Sequence, residues 1–382
     1  MTSFPSSRLS SLDVFRGIAI AGMLMVNTAG IVKQSYPQLQ HADWHGWTLA
    51  DLVFPFFLFV LGAAMAFSLA RYTQTFSQPK LSVYIRILRR SIILFLLGLL
   101  LNGFWAYDLS TLRIMGVLQR ISLTYLASAV IVLKLPRKGQ WGVTGLLLVG
   151  YWLALSFIPI PEFGAGNLTR IGNFGAYMDR MMIGIAHLYQ GDQFNGMGDP
   201  EGLFSTLPAI ATVLLGYFTG DWLRHRSSGL KLRTSRQSLT LLFYGGMSTG
   251  LGLLWNLWFP INKKLWTSSY VLFTAGISLL LLAACYELIE VRRRRRWGKP
   301  FEILGLNSIA IFVASILVLK TLVLTPIGSG EQATNAFNWL LKSLFQSWTS
   351  IPLGTFLFAL LTLGFWWLVA YFLYRQHWFF KI

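Results

Sequence analysis

Residues 48–70 read TLADLVFPFFLFVLGAAMAFSLA, an apolar run with a single acid, Asp51, near its start. A membrane hydrocarbon core about 30 Å thick is crossed by roughly 20 apolar residues of helix, so this run predicts a membrane-spanning helix. Strands of a membrane barrel would instead alternate in polarity over about ten residues. Nine other stretches match it in length and character, at residues 12–32, 87–106, 113–133, 141–159, 203–223, 239–260, 267–289, 302–324 and 353–375. We therefore predict an all-α, polytopic integral membrane bundle of about ten transmembrane helices.

The composition excludes several other classes of protein. Of the 382 residues, 54% are hydrophobic and 12% are charged, whereas a soluble domain carries about 25% charged residues. A disordered chain or a soluble nucleic-acid binder would not be this apolar. The single cysteine, Cys285, excludes an intramolecular disulfide framework and a cysteine-rich metal site.

The basic residues predict the orientation in the membrane. If the N-terminus is cytoplasmic, 23 of the 32 Lys and Arg residues fall at the inner face, which thereby carries the net charge of +18. This asymmetry predicts an even number of helices and cytoplasmic N- and C-termini. Anionic lipid headgroups are then sufficient partners for the charge, and no nucleic acid is expected. We predict one transmembrane domain over residues 1–382, with outer loops at about 33–47, 160–202 and 325–352.

Two polar groups interrupt the first predicted helix, where charges are costly and usually functional. Asp13 and Arg16 are three residues apart at its inner end, so they share a face and can pair. They fit either an ordinary helix start or a site for a phosphate-bearing ligand that enters from the cytoplasm. Asn27, near the outer end, fits either a hydrogen bond between helices or a role in the site.

The most informative cluster precedes the second helix and contains His41, Trp44, His45 and Asp51. Histidine can act as base or acid near neutral pH, and a buried carboxylate can fix the tautomer of an imidazole. A second interpretation has His41 capping the helix at the headgroup layer, with the tryptophans as interface anchors. A third, a metal site, is disfavoured because no third histidine is nearby.

Arg113 and Arg120 are predicted to lie in the fourth helix. They need polar partners there, which could be Asp51, Asp108 or an anionic ligand.

Three further polar groups complete the set. Asp199 is a plausible N-cap with Pro200 in the first turn, and Glu201 suits the helix dipole. Alternatively, these carboxylates meet a cationic or hydroxyl-rich ligand. Asn262 lies in an outer loop and Asn307 in the ninth predicted helix. A site at the outer face could draw on the segments around His41, Asp199 and Asn262.

Five motifs occur in a characteristic order. They are Ser-Leu-Asp-x-Phe-Arg-Gly (11–17), His-Ala-x-Trp-x-Gly-x-x-x-x-Asp-Leu-Val-x-Pro (41–55), Asp-Pro-Glu-Gly (199–202), Pro-x-Asn-Lys-x-Leu-Trp-x-x-Ser-Tyr (260–270) and Gly-x-Asn-Ser-Ile (305–309). Together they resemble the heparan-α-glucosaminide N-acetyltransferase family, especially bacterial members linked to N-acetylglucosamine utilisation. The lysosomal member of the family has a longer N-terminal region and an additional leading helix. Compared with that member, we expect this protein to share the core chemistry and to differ in its assembly.

The resemblance implies transmembrane acetylation: acetyl-CoA is used from the cytoplasmic side, and an amino sugar is acetylated on the far side. The family's active-site histidine corresponds to His41, its helix-1 asparagine to Asn27, and the Asp-Leu-Val aspartate to Asp51. It also implies a multi-pass protein of the bacterial inner membrane, and it leaves a homodimer open. Acetyl-CoA is a co-substrate, and no metal is expected.

From both lines we expect His41 to be a general base or an acetyl carrier, with Asn27 donating to the oxyanion and Asp51 orienting the imidazole. Residues assigned to the coenzyme are Asp13, Arg16, Arg113 and Arg120. Residues assigned to the sugar are Trp44, His45, Asp199, Glu201, Asn262 and Asn307. Two alternatives stay open: a sugar or amino-sugar transporter of the inner membrane, and an acyltransferase that acts on a cell-wall or lipid-linked acceptor.

Overall fold

The computed structural model describes residues 9–74, 81–227, 234–329 and 333–380. In these ranges the chain is mainly helical, and its only strands are two residues long each, which confirms the all-α class. The longer helices are α1 (Ser10–Ala29), α2 (Leu49–Ser68), α4 (Leu81–Gly103), α5 (Val117–Lys134), α6 (Arg137–Phe157), α8 (Thr206–Ser227), α9 (Ser235–Trp255), α10 (Ser268–Tyr286), α12 (Ser308–Leu324) and α14 (Ile351–Arg375). The shorter elements are α3 (Ala70–Gln74), α7 (Phe174–Ile183), α11 (Lys299–Leu306), α13 (Ala336–Leu341) and the antiparallel strands β1 (Pro326–Ile327) and β2 (Thr334–Asn335).

Six helices of the described part are long and apolar enough to cross a membrane. They are Ser10–Ala29, Leu49–Ser68, Val117–Lys134, Arg137–Phe157, Ser268–Val291 and Ile351–Arg375. The helices α4, α8 and α9 coincide with three further predicted spans but are not among these six. A polytopic membrane protein is therefore confirmed, while the number ten stays a prediction.

The ninth predicted span, 302–324, is wrong as one continuous helix. It consists of α11 and α12, which meet at Asn307 with a bend of 79°. Gly305 explains the close packing at this break, because a Cβ there would lie 2.3 Å from the backbone oxygen of Asp13. Counted as one bent span, the pair brings the number of segments in the described part that are long and apolar enough to cross a membrane to seven.

Glycine allows α2 and α8 to pack backbone to backbone. A Cβ on Gly62 would lie 1.9 Å from the Val213 carbonyl oxygen, and one on Gly216 would lie 2.0 Å from that of Phe59. Such small residues let membrane helices approach closely. The α2–α8 contact therefore fixes the helix whose first turn carries Asp51.

The bundle has two ends, which α1 defines. Gln40 Nε2 donates to the carbonyl oxygen of Ala29 at the last turn of α1, so we call this the His41 end. At the first turn of α1, Asp13 packs against Gly305, two residues before Asn307. The side chain of Asn307 bonds to the backbone of Trp378 and Phe380. The first and last described segments of the chain therefore lie together at this Asp13 end.

Candidate active site

The site is built around Asp51, whose side chain is 1% exposed in the first turn of α2. Its Oδ2 atom accepts hydrogen bonds from the backbone N–H groups of Ala42 and Thr48, at 3.0 Å each, and from the Thr48 hydroxyl at 3.1 Å. Thr48 caps α2 at the same time. Its own hydroxyl is also 2.6 Å from the Gln40 carbonyl oxygen. These contacts fold the chain before α2 over the carboxylate and leave Oδ1 for another partner.

That partner is His41, whose Nδ1 lies 2.8 Å from Asp51 Oδ1. A carboxylate at this distance accepts the Nδ1 proton, so the imidazole keeps its lone pair on Nε2. The His41 side chain is 37% exposed, in contrast to the buried Asp51. The pair therefore presents an oriented base at the surface of the bundle, with its supporting acid beneath it.

Lys263 also lies against the imidazole. Its Nζ is 3.0 Å from His41 Nδ1, 3.1 Å from His41 Nε2 and 3.7 Å from Asp51 Oδ1. Burial lowers the pKa of His41, and the Lys263 cation lowers it further, while Asp51 raises it. The balance favours the neutral imidazole, which is the form that can accept a proton.

The loop between α9 and α10 is held in the shape that presents Lys263. The Asn262 side chain accepts from the Leu265 N–H at 2.9 Å, and its backbone N–H donates to the Thr267 hydroxyl at 3.0 Å. The loop also joins the loop before α2, because the Gly46 N–H donates to the Ile261 carbonyl at 2.8 Å. Asn262 thus positions its neighbour, and its Nδ2 lies 3.4 Å from His45 Nδ1.

A second ionic group lies at the same end. Arg113 donates from Nε and Nη2 to both oxygens of Asp199, at 2.8 and 2.6 Å, and from Nη2 to Glu201 at 2.7 Å. Its guanidinium lies over the Tyr189 ring, 4.3 Å from the centroid. The prediction that Asp199 caps a helix is wrong, because α8 begins only at Thr206 and both Asp199 oxygens are bound to Arg113.

Glu201 connects this group electrostatically with the imidazole. Burial alone would raise the pKa of Glu201, but the cations of Arg113, Arg120 and Lys263 hold it below its usual range. Glu201 in turn raises the pKa of His41. The segments around His41, Glu201 and Lys263, far apart in the chain, therefore form one charged cluster.

Arg113 and Arg120 have different positions from those predicted. Arg113 lies in the loop before α5, which begins at Val117, and not within a helix. Arg120 is fully buried in α5, donates to the Gly202 carbonyl and the Ser205 hydroxyl, and lies 4.9 Å from the Trp266 ring centroid. Both belong to the His41 end and bind acids or backbone of this chain.

The remaining predicted residues are distributed over the bundle. Asn27 lies in a separate small cavity between α1, α12 and α14, with Ser315 and Trp366 among its lining residues. The Nδ2 atom of Asn27 is buried and has no hydrogen-bond partner in the described structure. Asp13 and Arg16 pair at 3.3 Å, as their spacing predicts, at the opposite end of α1.

Asn307 lies at the Asp13 end and bonds to Trp378 and Phe380. The structure therefore does not bring it to His41, and its side chain fixes the C-terminal segment.

Trp44 is part of the outer wall of the site. Its Nε1 donates to the Leu168 carbonyl at 2.8 Å, and the Arg170 guanidinium lies 5.3 Å from its ring centroid. Arg170 also bonds to Asp43. These contacts attach the long loop before α7 to the loop that carries His41.

Sequence reasoning missed Lys263 as a site residue, although the motif Pro260–Tyr270 contains it. The available signal was a charged side chain next to Asn262 in a loop expected at the same face as His41. Metal binding stays untested: the described residues contain no group of three or more His, Cys, Asp or Glu side chains that could hold an ion.

Comparison with known proteins places the His41–Asp51 pair in a matched segment. The family model for heparan-alpha-glucosaminide N-acetyltransferase, catalytic, matches residues 8–250. The chain is 30% identical to the human heparan-alpha-glucosaminide N-acetyltransferase over 423 aligned positions, which cover 98% of this chain and 60% of the human protein. It is also 30% identical to the mouse protein of the same name, over 81% of this chain and 53% of the mouse protein. The chain thus spans less than two thirds of the length of these relatives.

Proposed function

The chain belongs to the heparan-α-glucosaminide N-acetyltransferase family, and on that premise we propose that it transfers an acetyl group from acetyl-CoA to the amine of a glucosamine-type sugar. The observation that carries the proposal is the His41–Asp51 pair, an oriented and largely neutral base at one end of a membrane bundle. Acetyl transfer to an amine requires such a base.

His41 acts through Nε2 in this proposal. As a general base, it removes a proton from the acceptor amine while that nitrogen attacks the thioester carbon, and the bond to sulfur then breaks. As an acetyl carrier, Nε2 attacks first and passes the acetyl group to the amine in a second step. In both routes Asp51 stabilises the positive charge that forms on the ring. The Lys263 ammonium stabilises negative charge on the carbonyl oxygen.

The donor and the acceptor approach from opposite ends. Asp13 and Asn27 are 14 residues apart on α1, about 21 Å along a helix that rises 1.5 Å per residue. Arg16, paired with Asp13, marks the end at which we place the phosphates of the coenzyme. Asn27 lies in the last turn of α1, towards the His41 end, and has a free donor, which suits contact with a donor molecule that reaches this end through the bundle.

The acceptor sugar is placed at the His41 end. Trp44 and His45 provide a face and a polar edge beside the base, and Glu201 offers a carboxylate close to it. Because Asp199 is saturated by Arg113, we assign it to the support of Glu201. We place the protein in a bacterial inner membrane as a single transmembrane domain, with the His41 end facing the periplasm.

The test is acetylation of glucosamine by the purified protein in detergent, with acetyl-CoA as donor. His41→Ala should abolish turnover. The control is His225→Ala, since His225 is exposed near the end of α8 at the far end of the bundle. Retained turnover in His41→Ala would remove His41 from its role. Sugar uptake by proteoliposomes without acetyl-CoA, together with no acetylated product, would indicate a transporter.

A further inference from the structure

Lys263 is a basic side chain whose amine lies where the amine of an acceptor would be expected to lie. Its Nζ is nearly equidistant from the two ring nitrogens of His41, at 3.0 and 3.1 Å. A position in the ring plane with these two distances would collide with Cε1, which lies between the nitrogens. The Lys263 amine therefore lies against the face of the imidazole.

An acceptor amine needs this kind of position. If His41 carries the acetyl group on Nε2, the acetyl group is coplanar with the imidazole ring and is attacked from above that plane. An amine over the face of the His41 ring approaches from this side.

The surroundings also favour the reactive form of the amine. The Lys263 side chain is 14% exposed. Burial lowers the pKa of Lys263, the neighbouring Lys264 lowers it further, and Asp51 and Glu201 oppose the shift. A desolvated lysine holds a larger fraction of the neutral, nucleophilic amine than a solvated lysine does.

We propose that Lys263 Nζ occupies the place of the acceptor amine, and that Lys263 is itself acetylated when acetyl-CoA is present without a sugar amine. This inference rests on the proposed function. His41 Nε2 first attacks the thioester carbonyl carbon, and the C–S bond breaks with its electron pair on sulfur. The neutral Nζ then attacks the acetyl carbon, a C–N bond to Lys263 forms, and the bond to Nε2 breaks with its electron pair on Nε2. The proton lost from Nζ goes to the thiolate. The products are an amide on Lys263 and the free thiol of CoA.

The chain contains a matched control for this reaction. Lys264 is the next residue and is similarly shielded, with 9% of its side chain exposed, but its Nζ lies 3.1 Å from Asp192 Oδ2. Chemical acetylation without the site would modify both lysines, whereas catalysed acetylation would select Lys263.

The experiment incubates the purified protein with ¹³C-acetyl-CoA and no sugar, and locates the label by fragmentation of the peptide that contains both lysines. We expect label on Lys263 to exceed that on Lys264 by about a hundredfold, because only Lys263 lies beside the His41 ring. Excess glucosamine should suppress it, and His41→Ala should remove it. Because the glucosamine competition uses the native protein, it is independent of whether the variant folds.

Three results would overturn the inference. They are equal label on the two lysines, no label on Lys263 while glucosamine is acetylated, and label that glucosamine does not reduce. Absence of both acetyl-Lys263 and acetylated sugar would overturn the proposed function and this inference with it, so the two failures are distinguishable.

Discussion

Arg113 and Asp199 form a two-pronged ion pair that joins the loop before α5 to the loop before α8, with N···O distances of 2.8 and 2.6 Å. The Asp199 side chain has no exposed surface, so its charge is stabilised by Arg113 and by the Glu201 N–H, which donates to Asp199 Oδ1 at 2.8 Å. The same guanidinium holds Glu201. This pair therefore fixes the segment that carries Glu201 into the charged cluster with His41 and Lys263.

Arg113→Met should destabilise the protein, because it leaves the Asp199 charge buried without its partner. Breaking a buried ion pair from one side costs about 3 kcal/mol. The measurement is unfolding by denaturant in detergent. Lys299→Gln is the control, since Lys299 and Glu302 form an exposed pair whose loss costs at most about 1 kcal/mol. Equal losses in the two variants would contradict a structural role for the Arg113–Asp199 pair.

Asp51→Asn should lower the turnover number with little effect on folding. The asparagine oxygen can still accept from Ala42 and Thr48, but its amide group then faces His41 Nδ1 and stabilises the tautomer that carries the proton on Nε2. We expect a loss of about 10²- to 10⁴-fold in kcat. Asp43→Asn, an exposed acid of the same loop, should have a much smaller effect, because Arg170 still bonds to the backbone carbonyl at this position. Full activity in Asp51→Asn would show that the carboxylate does not set the tautomer.

The length of the apolar runs was sufficient to predict the class of fold, and the five ordered motifs were sufficient to predict the family. Helix ends were less predictable, because polar residues occur both in the first turn of a helix and in the loop before it. Asp199 and Pro200 have the chemistry of a helix start, yet the buried partner Arg113, 86 positions earlier, takes the carboxylate. No local pattern around Asp199 contains that information.

The candidate site was predictable to the extent that its residues lie in named motifs. His41 and Asp51 are ten residues apart, so they can pair when the short loop before α2 folds back over the first turn of that helix. Lys263 lies 222 residues after His41, and only the packing of the α9–α10 loop brings it there. Asn307 is also a polar residue within a named motif, but the packing of the helices places it at the Asp13 end and not beside His41.

The pH dependence of turnover should show the effect of Lys263 on His41. Burial and Lys263 lower the pKa of His41, and the base works only when unprotonated. The acid limb of kcat/KM should therefore have its midpoint below about 6.5, the ordinary value for histidine. Lys263→Met removes the cation and should move this limb to higher pH, while Lys263→Arg should leave it low. Initial rates between pH 4 and pH 8 provide the test; a limb that does not move would contradict the electrostatic role.

Stability should depend on pH through Asp179. This carboxyl is buried in α7 beside the Phe204 N–H, and burial raises its pKa to about 7. Since the unfolded value is about 4, the folded protein holds this proton more tightly. The protonated Asp179 carboxyl therefore makes its largest contribution to the free energy of unfolding below about pH 4, with an upper limit of about 4 kcal/mol. This contribution decreases as the pH rises and is lost as the pH passes through 7.

The measurement for Asp179 is the unfolding midpoint from pH 4 to pH 8 in the native protein and in Asp179→Asn. The asparagine keeps an oxygen for the Phe204 N–H and does not titrate. The unfolding midpoint of the native protein should fall as the pH rises from 4 to 8. The difference in midpoint between the native protein and Asp179→Asn should change over the same pH range. Parallel curves would show that Asp179 does not titrate in this range.

Gly216→Ala should disrupt the contact between α2 and α8. The added Cβ would lie 2.0 Å from the Phe59 carbonyl oxygen, so the two backbones must separate. Overpacking costs about 1 to 3 kcal/mol where side chains can adjust, and a backbone atom cannot move out of the way. We therefore expect a loss near 3 kcal/mol, and reduced turnover because α2 carries Asp51. Gly142→Ala on α6 is the control, since its Cβ meets nothing within 4 Å. The measurements are the unfolding midpoints and the turnover numbers of both variants. Equal stability of Gly216→Ala and Gly142→Ala would show that α2 and α8 do not approach each other this closely.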